Sequence, residues 1–419
     1  MRNEPQETAV IQIRIAMITF ALFMIREIYC KLNSISGNPL SRKRISDRIY
    51  SKSGEKFVLP LEEATLVKDI LQEQQQCRSK AEKKLPSWIK NRCLFASVPL
   101  EQCTSETIAK AKAGLFAGET MLSLTGGLGV DDAAFSKSFN RITSLDSDPG
   151  LNAIARFNNH CMGIENVERL DTTAELYLSE SQAHWDCIYA DPDRRAAGNR
   201  ATTNVSAYAP DIVSIFQTFE KMASRWIVKL SPMTDLRWFE TQMGIPVRFY
   251  IFCTKGEIKE LLAVWDDETK SENCIVNCHD DRFEIFWPKE PIDVQTTDTD
   301  IFCELSAAAI KAGFRDSIMQ QSGLQPASSH GFYLTGKTTI PAALGRCFLL
   351  KHRIEGSLGE IAQQLGILGI GQANVSARDF VLPAEETRKK LKLRDGGACY
   401  LFFTGKDKIK TCFVTEKPA

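Results

Sequence analysis

Apolar positions along the chain follow two rhythms, and the places where the rhythm changes mark the organisation. From Pro60 to Ala113 they recur at helix spacing, clearest at Leu66, Ile70 and Leu71. Thr104 or Ser105 offers an N-cap for a helix Glu106 to Ala113 that runs straight into a short apolar run, Thr120 to Leu124. That run breaks at Gly126-Gly127-Leu128-Gly129 and a helix-like stretch, Asp132 to Phe139, follows, which predicts a strand, a tight loop and a helix N-terminus. The same alternation continues through a strand Arg141–Asp146, a helix Pro149–His160, a strand Ile164–Asp171 and a short apolar run ending at Ala190. Next come a helix Pro210–Ser224, a fifth strand Arg225–Pro232, and two runs, Val247–Cys253 and Lys259–Trp265, with no strong helical pattern between them. Strand-helix alternation giving way to paired strands predicts a mostly parallel sheet with an antiparallel edge.

The N-terminal stretch breaks this picture. Residues 9–25 are the most apolar of the chain, yet the uninterrupted part, Ile15 to Ile25, is shorter than the ~20 residues that span a bilayer. Gln12, Thr19 and Arg26 form a narrow polar stripe, which suits a helix packed against the rest of the protein; a membrane or export signal is the alternative. A basic linker, Ser34 to Gly54, follows.

Composition changes the picture little. At 419 residues the chain is long enough for two or three domains. Lysine plus arginine and aspartate plus glutamate are 52 each, so any contact with nucleic acid must come from local patches. Thirteen cysteines scattered without a CxxC pair read as reduced thiols of a cytoplasmic protein. Cys274-x-x-x-Cys278-His279 hints at metal spacing but lacks a second pair of ligands, so no metal is expected.

Chemistry is expected at the strand ends, because ligands of open parallel sheets sit beyond the carboxyl ends of the strands. Asp146 ends a strand about twenty residues after the glycines, where a carboxylate accepts both ribose hydroxyls of an adenosyl ligand. This fits a dinucleotide or S-adenosylmethionine (SAM). The third glycine of G-x-G-x-x-G is missing, which favours SAM and leaves NAD as the alternative. Thr125, Gly126, Gly127, Gly129, Asp131, Asp146, Asp171 and Asp191 are the candidate cofactor-binding residues. Asp171 either accepts from the adenine amino group or caps the next helix. In Asp191-Pro192-Asp193-Arg194-Arg195 the apolar run ends in an acid followed by proline, which makes Asp191, Pro192 and Arg194 the candidate catalytic residues. Arg194 and Arg195 either hold phosphate or a base or pair with nearby acids to fix the loop. Near the C-terminus, Ala384 to Leu393 reads as a basic helix followed by Gly396-Gly397 and a strand Cys399–Thr404; Lys389, Lys390, Lys392 and Arg394 are candidate RNA-binding residues, or else a solvated face.

Leu124-Thr125-Gly126-Gly127-Leu128-Gly129-Val130-Asp131, Asp191 to Arg195 and Lys229-Leu230-Ser231-Pro232-Met233-Thr234-Asp235-Leu236 together resemble a bacterial family of class I SAM-dependent methyltransferases with a C-terminal THUMP-like domain. Lys84-Leu85-Pro86-Ser87-Trp88, Leu100 to Glu106, Asn374 to Arg378 and Leu391 to Gly397 add to it, so the resemblance runs from about Phe57 to Val414. The Thr104–Ala113 stretch is also similar to RNA guanine-N2 methyltransferases. Ser123 stands where the family has an acid, Asp193 where it has a small residue, and Arg194 where [DN]-P-P-[FYW] enzymes have an aromatic residue.

The resemblance implies an α/β fold: a Rossmann-like class I methyltransferase sheet with an N-terminal helical region and small C-terminal α+β domains. The expected divisions are 1–55, apolar helix and basic linker; 56–105, helical region; 106–290, methyltransferase domain; 291–343, ferredoxin-like; and 344–419, THUMP-like. It implies SAM as cofactor and RNA as substrate, either tRNA or rRNA, methylated on a base nitrogen of a single-stranded or flipped nucleotide. No stable membrane association is expected. The alternatives are a non-catalytic RNA-binding protein that keeps the fold and an NAD-dependent oxidoreductase.

Overall fold

The computed structural model describes residues 61–192, 210–254, 256–266, 271–279, 282–327, 331–405 and 410–418. The N-terminal apolar stretch, the basic linker, Asp193, Arg194 and Arg195 lie outside them. No described helix is long and apolar enough to cross a membrane.

The chain divides into two compact units. The first is residues 1–193 with 208–226; the second is 194–207 with 227–419. The first opens with helices α1 (Leu61–Lys84), α2 (Pro86–Lys90), α3 (Ser97–Gln102) and α4 (Glu106–Leu115). Cys77, Ala81, Leu85 and Trp88 recur near helix spacing and bury one stripe against Leu128 and Val130, so the Leu85-Pro86-Ser87-Trp88 motif carries packing. Glu106 helps hold it, since its carboxylate accepts from the Ser87 N–H at 2.8 Å. Asn158 exchanges hydrogen bonds of 2.8 and 2.9 Å with the Leu94 backbone, tying this helical region to the helix Pro149–Met162.

Four parallel strands follow, β1 (Gly118–Ser123), β2 (Phe139–Asp146), β3 (Val167–Asp171) and β4 (Cys187–Ala190), in the spatial order β3-β2-β1-β4. Helices α5 (Val130–Phe135), α6 (Pro149–Met162), α7 (Ala174–Glu180) and α8 (Ile212–Phe219) connect or follow them. Two boundaries differ from expectation. α5 stops at Phe135, because Phe139 already begins β2 as a buried strand residue. α7 is capped by Thr173, whose hydroxyl accepts from the Leu176 N–H, so Asp171 is not its cap.

The second unit holds two sheets. β5 (Arg225–Leu230) enters it from the first unit, and helix α9 (Leu236–Met243) follows, capped by Asp235. β6 (Arg248–Thr254), β7 (Glu257–Asp266), β8 (Asn273–His279) and β9 (Arg282–Phe286) then assemble in the order β5-β7-β6-β8-β9. β6 is antiparallel to β7, as the paired apolar runs predict, and is also parallel to β8.

The second sheet takes β10 (Gln295–Leu305), β11 (Gln325–Pro326), β12 (Tyr333–Thr339), β13 (Gly345–Gly356), β14 (Asn374–Phe380), β15 (Cys399–Gly405) and β16 (Lys410–Glu416). Helices α10 (Ala307–Ala312) and α11 (Arg315–Ser322) follow β10, while α12 (Leu358–Ile367) and α13 (Ala384–Lys390) flank β14. The strand order is β11-β12-β10-β13-β16-β15-β14. β10 and β15 are three strand steps apart, about 14 Å in a flat sheet. The Phe302 and Phe402 rings on those strands nevertheless lie 4.6 Å apart, so the sheet is rolled on itself. Phe302, Tyr333, Phe348, Phe402 and Phe413 fill the roll, one from each of five strands. The β14 edge comes back against β10 at the buried Glu304, which accepts from Ser376 at 2.9 Å and pairs with Arg378 at 3.1 Å and with Arg346. The expected division between 343 and 344 thus falls in the turn between two strands of one sheet.

Candidate functional site

Parallel strand order puts the C-terminal ends of β3, β2, β1 and β4 side by side, and each carries a residue singled out from the sequence. Asp146 and Asp171 are register partners at the ends of β2 and β3. Thr125 follows β1 and Asp191 follows β4, joined by the Asp191 N–H donating to the Thr125 hydroxyl at 2.7 Å. From Asp171 to Asp191 is three strand steps, on the order of 14 Å.

The glycine loop closes this edge. The Gly126 N–H donates to the Leu145 carbonyl at 2.7 Å and the Gly127 N–H to Asp146 Oδ2 at 2.8 Å, so loop and strand-end acid are one structure. Asp146 Oδ1 accepts from the Asp148 N–H at 2.9 Å. A carboxylate offers about four lone-pair sites, so each oxygen keeps capacity for a further donor. Gly127 and Gly129 have φ of +51° and +87°, the left-handed region that favours glycine. A side chain on Gly127 would point into open space. Gly126 is constrained from below, since an added methyl would overlap the Arg169 guanidinium and the Ser144 hydroxyl.

Arg169 went unnoticed in the sequence. On β3 it is 4% exposed and braces the loop through four hydrogen bonds: to Asn152 Oδ1 at 2.8 Å, Asp132 Oδ2 at 3.0 Å, Ser144 Oγ at 3.0 Å and the Gly127 carbonyl at 2.8 Å. Asp132 is 2% exposed, and burial pushes its carboxyl above the usual range while the Arg169 charge pulls the other way. Ser123 is fully buried at the end of β1.

A second buried network joins the loop to β4. Lys112 on α4, fully buried, pairs with Asp131 Oδ1 at 2.7 Å and donates to Thr104 Oγ1 at 3.0 Å and Tyr189 Oη at 3.3 Å. Asp131 Oδ2 accepts from Tyr189 at 2.7 Å and from Thr104 at 3.1 Å. Thr104 therefore anchors Asp131 instead of capping α4, whose N-cap is Ser105 without a side-chain bond. Asp131 is spent on internal partners, and Tyr189 stands two residues before Asp191.

Asp171 Oδ1 accepts from Asn152 at 2.7 Å and from Arg156 at 2.9 Å. Pro192 is buried directly behind Asp191. A hollow of about 310 Å³ is lined by Arg156 together with His160, Ile164 and Val167, the last at the opposite end of β3 from Asp171.

In the second unit α13 ends at Lys390, one turn short of expectation, because Lys392 takes a left-handed φ of +54°. Lys389, Lys390, Lys392 and Arg394 are all exposed. Lys389 pairs with Glu385 at 3.4 Å, and the Arg394 backbone is fixed to Gly371 and Ala373.

Residues 345–417 match the family model for the THUMP domain-like fold. Over 306 residues the chain is 24% identical to an uncharacterized S-adenosylmethionine-dependent methyltransferase of Mycobacterium tuberculosis strain CDC 1551, covering 72% of this chain and 81% of the relative, and equally to its counterpart in strain H37Rv. A solved protein of Porphyromonas gingivalis W83, assigned as a methyltransferase, superposes with a TM-score of 0.69 at 25% identity, over 87% of this chain and 93% of its own. Similarity of sequence and fold along most of the chain makes it a methyltransferase with a C-terminal THUMP-like domain.

Proposed function

We propose that this methyltransferase uses SAM to methylate RNA on a base nitrogen, an exocyclic amine of a single-stranded or flipped nucleotide. The observation that carries the cofactor is the strand-end row, in which Asp146 is bonded to the glycine loop and the space above Gly127 is open. These residues fit an adenosyl ligand: Asp146 takes the ribose hydroxyls, Asp171 the adenine amino group, and the Thr125–Gly129 loop lies against the rest. Asp131 contributes by fixing α5 and the loop through Lys112.

When bound, SAM supplies an electrophilic methyl group on a sulfonium. Transfer needs the acceptor held at about 3–3.5 Å and in line, and no covalent enzyme intermediate. Asp191 accepts one N–H of the acceptor amine and aims its lone pair, and the buried Pro192 fixes the turn that carries it. Arg194 and Arg195 hold phosphate or base. A base inside a duplex cannot reach such a site, so the substrate is single-stranded or flipped, in tRNA or rRNA. The THUMP-like domain supports RNA, with Lys389, Lys390, Lys392 and Arg394 on its backbone.

Isothermal titration with S-adenosylhomocysteine tests the cofactor reading. Asp146→Ala removes a charge-assisted acceptor and is expected to weaken binding by roughly 1.5–3 kcal/mol. Unchanged affinity in a folded variant, or NAD bound in preference, overturns it.

A further inference from the structure

Cys303 and Cys347 are direct register partners across the antiparallel β10 and β13, and their sulfurs lie 2.7 Å apart. Opposed residues in such a ladder have Cα atoms about 4.5–5.5 Å apart, inside the window of about 4.4–6.8 Å that a disulfide spans. The strands therefore need no rearrangement to be bridged. Phe302 with Phe348 and Glu304 with Arg346 hold the register on either side. Side chains alternate along a strand, so the two sulfurs lie on the face opposite Phe302 and Glu304 and outside the aromatic filling of the roll.

The two thiols are not equivalent. Cys303 is fully buried, and its hydrogen bond to Cys347 together with burial pushes its thiol up. Cys347 is half-buried, and its thiol is pulled down because Cys303 donates to it; the Ile340 N–H also donates to that sulfur at 3.4 Å. At Cys187, by contrast, burial is the largest influence and pushes the thiol up to about 12. A thiolate-prone, reachable cysteine beside a buried partner is the arrangement of an attacking and a resolving thiol.

We propose that Cys303 and Cys347 form a redox-active dithiol, a modification site at which a small-molecule disulfide converts the pair reversibly to an intramolecular disulfide. The Cys347 thiolate attacks one sulfur of the small disulfide, forming a mixed disulfide and expelling one thiolate. Cys303 passes its proton to that thiolate and attacks the Cys347 sulfur, expelling the second small thiolate, which takes the proton first lost by Cys347. Two protein thiols are oxidised by two electrons, and one small disulfide is reduced to two thiols. The new bond joins β10 to β13, the first strand of the segment matching the THUMP-like model, and stabilises the sheet by constraining the unfolded chain.

The test uses the full chain in mixtures of reduced and oxidised glutathione, quenched in acid, alkylated, digested and analysed by mass spectrometry. The expected result is a Cys303–Cys347 crosslinked peptide as the main disulfide product, two fewer alkylatable thiols, reversal by dithiothreitol and a higher thermal midpoint for the oxidised form. Cys303→Ser is expected to trap glutathione on Cys347. The proposal is overturned if both cysteines stay fully alkylatable in oxidised glutathione, or if other cysteine pairs crosslink first. The wild-type measurement decides alone, and it is independent of the RNA reading.

Discussion

Replacing Arg169 by methionine keeps the length of the side chain and removes its charge, which isolates what the guanidinium does beneath the glycine loop. The loss strikes Asp132 first, because that carboxylate is 2% exposed and its cationic partner, at 3.0 Å, disappears. Removing one member of a buried ion pair costs about 3–5 kcal/mol, since the remaining charge stays buried without compensation. Urea unfolding at pH 7 is expected to show a loss of this size. The pH dependence fixes the cause. Burial, the largest influence on Asp132, raises its carboxyl from 3.8, and removing Arg169 takes away the main opposing influence. A group whose folded-state pKa is raised contributes stability that is present below its unfolded value and lost as pH rises through the folded one. The deficit of Arg169→Met relative to wild type is therefore expected to shrink as pH falls from 7 toward the ordinary aspartate range. Adding Asp132→Asn should recover part of the loss at pH 7. Arg169 also donates to the Gly127 carbonyl at 2.8 Å, so affinity for S-adenosylhomocysteine should fall about tenfold, the worth of one hydrogen bond at the upper end of the usual range. A variant within about 1 kcal/mol of wild type, with the same pH profile and affinity, refutes the reasoning.

Two further substitutions separate packing from ligand space in the same loop. Gly126→Ala meets a guanidinium held by four hydrogen bonds and should cost about 1–3 kcal/mol of stability in a melting experiment. Gly127→Ala meets nothing and should cost only about 1–2 kcal/mol of backbone strain while sharply weakening S-adenosylhomocysteine binding by titration. In the tail, changing Lys389, Lys390, Lys392 and Arg394 to glutamine is expected to flatten the slope of RNA affinity against salt and leave S-adenosylhomocysteine affinity alone; an unmoved slope marks a solvated face.

What the sequence made legible was local. Gly126 to Gly129, Asp146 and Asp191 are marked by abrupt changes of hydropathy within a few residues, and all three stand on one strand-end edge. Arg169 and Lys112 were not legible, because their partners lie up to 42 and up to 77 residues away and a charged residue reads by default as surface. A signal existed for Arg169: on β3 only the third residue is buried, and it is this cation. A charge at the core position of a strand implies an internal partner. Thr104 misled in the opposite way, since a threonine before a helix reads as a cap, whereas its hydroxyl serves Asp131 across 27 residues. In the second unit, the turn between β12 and β13 resembles a domain boundary along the chain. The roll that crosses it depends on Glu304 meeting Ser376 and Arg378, more than 70 residues on, which no local pattern carries.

Methyl transfer to RNA at the Asp191 strand end is the step on which the proposed function stands. The direct measurement is transfer of tritiated methyl from SAM to total RNA by wild type and by Asp191→Ala, with S-adenosylhomocysteine affinity measured for both. The expected result is label in a nuclease-sensitive, protease-resistant fraction, a fall of at least about 100-fold in the alanine variant, and the same S-adenosylhomocysteine affinity in each. Undiminished labelling by Asp191→Ala, or S-adenosylhomocysteine binding with no label entering RNA from the wild type, contradicts it.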